Sequence, residues 1–137
     1  MTTSLDAARR RDVALLVLRL ALGTVFIYHG YGKLFGAAPS IPAFSGMLAS
    51  LGFPLPAFFA WVVGLTEFFG GIAVVLGVFV SQAALLLAII MAVAFLIVKK
   101  AALPAGDVDL ALFSMAVALA LMGGGAFSLL RSKERTS

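Results

Sequence analysis

The sequence predicts an all-α membrane protein: a single domain over residues 1–137, built as a four-transmembrane-helix bundle with both termini cytoplasmic. Three observations carry this. Of 137 residues, 63% are hydrophobic and only 12% charged, with a mean hydropathy of +1.15. That is about half the charge of a soluble domain, too little to clothe a water-facing surface. The apolar residues fall into four runs; each span takes about 20 residues, so four use ~80 of the chain and five would leave almost nothing to connect them. Finally, the net charge of +4 is unevenly placed. Arg9, Arg10, Arg11, Arg131, Lys133 and Arg135 lie near the ends, against Lys33, Lys99 and Lys100 on the opposite side, a bias that puts the ends in the cytoplasm. The basic excess is thus read as topology, and no nucleic-acid partner is expected.

The first span runs over about 13–35, after Arg9-Arg10-Arg11-Asp12. A cleaved leader also has a basic start, but Arg19 interrupts the run and no small-residue cleavage pattern precedes a polar mature chain, so it is read as a retained span. A connector with Pro39, Pro42, Pro54 and Pro56 follows. Within it Phe44, Met47, Leu48 and Leu51 recur at helical spacing, predicting a short interfacial helix over about 43–51 or, equally, an irregular loop folded on the bundle. The second span covers 57–80 and the third 83–98, with a tight turn at Ser81-Gln82. The fourth covers 108–130 and ends beyond Gly123-Gly124-Gly125; a basic tail follows. Small residues four apart (Ala60/Gly64, Ala84/Ala88/Ala92, Ser114/Ala118) mark helix-contact stripes.

There is no cysteine, which excludes disulfides, iron–sulfur ligation and thiol chemistry within this chain, and with them the small membrane enzymes that carry electrons from a Cys-x-x-Cys pair. One histidine cannot supply both axial ligands of a bis-histidine haem. No metal site and no covalent cofactor are expected.

A charged group at mid-bilayer costs about 2.5–3.5 kcal/mol, so each intramembrane ionisable residue is a candidate functional group. The candidates are Arg19, His29, Lys33, Glu67 and Asp109, with Asp107 at a helix start. Counting inward from the span ends, Arg19 lies ~9 Å deep from one face and Glu67 ~15 Å from the other. The ~6 Å between them is within an arginine's reach, which predicts an Arg19–Glu67 ion pair, either functional or serving only as structural glue. His29 and Lys33 are four apart and share a helix face with Arg19. With Asp109 at the start of the fourth span they form an expected outer-leaflet cluster, able to hold an anion or the carbonyls of a quinone head and to relay a proton through His29. The expected roles are His29 and Glu67 as catalytic groups, and Arg19, Lys33 and Asp109 as substrate-binding ones. The plain alternatives are a snorkelling Lys33 and, in Tyr28 and Tyr31, an aromatic belt.

The segment Arg19-Leu20-Ala21-Leu22-Gly23-Thr24-Val25-Phe26-Ile27-Tyr28-His29-Gly30-Tyr31-Gly32-Lys33-Leu34 resembles the opening signature of the DoxX family, an arginine in the first span followed by His-Gly-x-x-Lys-Leu. Leu51-Gly52-Phe53-Pro54, Glu67 with Gly70-Gly71 and Gly77, and Gly123-Gly124-Gly125-Ala126-Phe127-Ser128-Leu129 are similar to later family segments, in order, over about 13–130. Family members often continue with Asp where this chain has Leu130-Arg131. The resemblance implies a multi-pass protein of the bacterial inner membrane. It also implies a membrane subunit of a quinone-linked oxidoreductase system, like relatives in thiosulfate:quinone oxidoreductase or in oxidative-stress complexes. Expected partners are membrane lipid, a soluble redox enzyme (sulfurtransferase, dismutase or dioxygenase) and further copies of the chain. A non-catalytic scaffold for such enzymes is the main alternative. A small exporter is a weaker one, because its essential glutamate would sit in the first span and unpaired.

Overall fold

The computed structural model describes residues 2–36 and 40–130, and every regular element among them is helical. Helix α1 is Thr2–Leu34, α2 Ile41–Ser50, α3 Pro56–Leu76, α4 Val80–Val93, and α5 Asp107–Met122. A π-helical turn, Ala94–Val98, continues α4 without a break. Three segments are long and apolar enough to cross a membrane: Thr2–Leu34, Pro56–Leu76 and Val80–Val98.

Several boundaries differ from those the sequence predicts. Helix α1 begins eleven residues before Val13, because Ala7, Ala8 and the three arginines are good helix formers even though they are too polar for lipid. The turn between the second and third spans is Gly77–Phe79, not Ser81-Gln82. Gly77 takes the left-handed conformation (φ 80°), and the Gly77 and Val78 amides both donate to Ala73 O, closing α3. Ser81 and Gln82 belong to the first turn of α4. Helix α5, in the place of the expected fourth span, stops at Met122, well short of residue 130, since Gly123 (φ 73°) and Gly125 (φ 76°) leave helical space. From there the chain folds back: Leu129 N–H donates to Leu76 O (3.2 Å) and Leu130 N–H to Gly77 O (3.0 Å). Residue 130 therefore ends beside the α3–α4 turn. The basic tail with Arg131, Lys133 and Arg135 lies outside the described residues.

Helix α1 packs along α3 and α4 along α5. The α1–α3 contact is close because glycines face backbone. A methyl at Gly30 would lie 2.7 Å from Phe68 Cα, one at Gly71 2.8 Å from Ile27 N, and one at Gly23 against Val75. Seven steps from Gly23 to Gly30 match seven steps back from Val75 to Phe68, which sets an antiparallel register. Gly30→Ala must push the helices apart and is expected to destabilise by about 1–3 kcal/mol, measurable as a shift in an SDS unfolding titration. Of the small-residue stripes, Ala60/Gly64 and Ala84/Ala88 are buried in contacts, but Ser114 is exposed, and α5 packs through Ala116 and Leu119 instead.

The buried core is divided. Leu15, Leu22, Phe26, Val74, Ala84, Leu87, Met91 and Leu119 join α1, α3, α4 and α5 from the Gly77 turn to an apolar cleft. A smaller cluster of Ile41, Leu48 and Ala60, with Leu34, Phe44 and Phe53 around it, seats α2 on α3 at the other end.

Candidate functional site: an ion pair at the head of an apolar cleft

The expected Arg19–Glu67 pair does not form. In the observed register Arg19 is level with the last turn of α3, and Glu67 with the residues around Tyr31, about 18 Å along the helix. The depth estimate fails because it assumes that both spans start at the same height, whereas the glycine contacts set their offset. Arg19 is 1% exposed and donates to three carbonyls: Nε to Val74 O (2.9 Å), Nη2 to Val75 O (2.9 Å) and Nη1 to Gly124 O (3.1 Å). The first two are among the terminal carbonyls of α3 that no helical amide reaches, and the negative end of the helix dipole favours a cation there. One side chain thus caps α3 and holds the loop after α5. Two turns earlier on α1, Asp12 Oδ1 accepts from Ala126 N–H (3.2 Å) in the same loop.

The partner of Glu67 is Lys33. Lys33 Nζ donates to Glu67 Oε2 at 2.6 Å, with side chains only 7% and 5% exposed. Gly64 lies beside the pair, where a methyl would sit 3.6 Å from Lys33 Cβ and 3.1 Å from Ile41 Cδ1. From α2, the Phe44 ring covers Lys33, with Nζ 5.1 Å from its centroid, a cation–π contact. So Lys33, legible in the sequence as a snorkelling residue, is turned inward.

The pair forms part of the wall of a cleft of about 520 Å³. All five helices contribute, and the lining is mostly aliphatic and aromatic. The polar exceptions are Lys33, Glu67, His29, Asp109 and Lys99. His29 lies one turn before Lys33 on α1; Asp109 is half-buried in the first turn of α5. The structure thus brings His29, Lys33, Glu67 and Asp109 to one cavity and leaves Arg19 out of it. It adds Lys99 and Phe44, which sequence reasoning treats as a loop charge and an interfacial aromatic. Lys99 reaches the cleft through the π turn, which re-aims the end of α4; π turns occur often at functional sites. Its place at the end of an apolar run, on the same side as Lys33, is the signal that could have found it. Tyr28 and Tyr31 are 75% and 55% exposed, outside the cleft; Tyr31 packs on Phe35 at 4.9 Å. Among the described residues no group of His, Asp and Glu is placed to hold a metal ion.

Chemically, the cleft offers an ammonium and a carboxylate with unused valences, a nearby imidazole and an apolar wall. Such a lining can accommodate a molecule with a small hydrogen-bonding head and an apolar body. The chain belongs to the DoxX family, whose model matches residues 14–100. It is similar to a Bacillus subtilis (strain 168) protein described as "Putative oxidoreductase CatD", 32% identical over 114 residues, covering 82% of this chain and 81% of that one. No solved structure matches it.

Proposed function

We propose that this protein is the membrane subunit of a redox system and binds a quinone head group in the Lys33–Glu67 cleft. The observation that supports this best is the buried ion pair itself. Two charges are held out of water at the wall of an apolar cavity, where a structural role alone does not call for an adjoining imidazole and a second carboxylate. Lys33 and His29 would donate to the carbonyl oxygens of the head, and Glu67 and Asp109 would accept from its hydroxyls in the reduced form. A bound quinone supplies two-electron, two-proton chemistry. The protein's own part is to orient the head, keep it out of bulk water and pass a proton through a nitrogen of the His29 ring. With no thiol in the chain, electrons would arrive from a second substrate or from a soluble redox enzyme.

The membrane is then the bacterial inner membrane, with α5 as the fourth span. Its 16 residues cover ~24 Å, most of a ~30 Å core. Both termini would lie in the cytoplasm. Asp12 meets Ala126, so Arg9, Arg10 and Arg11 share one end of the bundle with the loop after α5, a surface suited to a soluble partner. Arg19 acts in this reading as the clasp of that end rather than as a ligand for substrate.

The test is quinone binding and quinone reductase activity with purified protein in lipid nanodiscs. Glu67→Gln is expected to weaken binding of the reduced quinol about tenfold or more, as loss of one charged hydrogen-bond partner does. His29→Ala should keep most of the binding and lower turnover by about 10²-fold. Equal quinol binding in wild type and Glu67→Gln, or none in either, overturns the proposal.

A further inference from the structure

We infer that the cleft takes its ligand sideways from the bilayer, through a slot between α3 and α4, and therefore that the ligand is a membrane-dissolved amphiphile rather than a water-borne anion. This rests on reading the cleft as a ligand site, but not on which head group it holds.

The slot is placed where α3 and α4, beyond their shared turn, both line the cleft. Their three-residue turn holds them together at the Gly77 end, and Leu87 still packs on Gly70, where a methyl would lie 3.5 Å away. One turn further on, Glu67 on α3 and Ile90 on α4 both line the cleft. Glu67 and Ile89 each lie ten residues from the turn, so both are ~15 Å along their helices, mid-depth in a ~30 Å core. At that level the surroundings are acyl chains. Ile89 on α4, a cleft residue, faces them at 52% exposed, and Val62, a cleft residue on α3 that lies five residues nearer the Pro56 end than Glu67, is 41% exposed. The cleft wall is thus continuous with the lipid-facing surface, while Lys33 and Glu67 sit 7% and 4% exposed. The charged residues of the cleft that lie towards water, Lys99 and Asp109, belong to the end of α4 and the start of α5. Entry there would bring a water-borne ligand past a cation and an anion of opposing preference, and such a mouth selects neither sign.

The absence of native cysteine makes a direct test simple. A nitroxide is placed at Val63→Cys, and in a second protein at Ile90→Cys, one on each helix inside the cleft. Each is reconstituted in lipid vesicles. Collisions with molecular oxygen, which concentrates in the bilayer, are compared with those of a water-soluble nickel chelate. Lateral access predicts oxygen accessibility several-fold above that of the chelate at both positions, with the oxygen term cut by adding Ile89→Trp. Chelate accessibility equal to or above that of oxygen at either position overturns the slot and makes the cleft an aqueous one. That outcome leaves quinone binding to stand or fall on its own assay, because no ligand is used here. Retained helicity of each labelled protein by circular dichroism shows that the reading is of the folded bundle.

Discussion

Replacing Glu67 with leucine is expected to destabilise the protein by about 3–5 kcal/mol, and replacing Lys33 with methionine by a similar amount, because either change leaves an unpaired charge or an unpaired partner in a site closed to water. The double variant Lys33→Met/Glu67→Leu removes both charges together and should recover most of that loss, since a buried pair replaced by apolar groups of similar volume is often neutral or better. An SDS unfolding titration on the four proteins closes the cycle. The informative comparison is with function. If the pair only pins α1 to α3, the double variant is stable and still binds quinone; if the pair holds the head group, it is stable and does not bind. Single variants that unfold like wild type would mean that the 2.6 Å pair does not form in the bilayer.

The second large effect belongs to Arg19. Arg19→Met should cost roughly 3 kcal/mol or more, as three carbonyls lose a charged donor where neither water nor another amide replaces it. Arg19→Lys should recover only part, because an ammonium on a flexible stem cannot span the three acceptors as a planar fork does. The loss should be local: hydrogen exchange at the amides of Leu129 and Leu130, bonded to Leu76 and Gly77, should accelerate before that of α1 or α3. Coupling between Arg19→Met and Glu67→Gln should fall below about 0.5 kcal/mol, as for separated sites. A coupling of several kcal/mol would restore the Arg19–Glu67 pair that the sequence predicts.

These two residues also show where reading the sequence succeeds and where it stops. The short inventory of intramembrane charges picks out both buried cations and their candidate carboxylate, because lipid makes each of them conspicuous. It then joins the wrong two. Matching depends on the relative height of two helices, and that height is set by Gly23, Gly30 and Gly71 pressing against backbone, contacts that no count from a span end contains. Arg19 needs no carboxylate at all. Its counter-charge is the carbonyl end of α3, formed only once that helix stops at Gly77. The end of α5 is misjudged for a related reason. Hydropathy continues through Leu130, whereas the backbone turns at Gly123 and is held by bonds to residues about fifty positions earlier.

By itself, then, the sequence determined the helical membrane character, the absence of thiol chemistry, the DoxX relationship and a list of six ionisable positions at which chemistry can sit. Those are matters of composition and of order along one chain, and polar groups are rare enough in lipid to stand out. Only the tertiary structure decided which charges meet, that Phe44 and Lys99 share the cleft with His29, and that Arg19 is a clasp. Those depend on helix offset and on where carbonyls are left without partners, which are properties of packed helices rather than of any one segment.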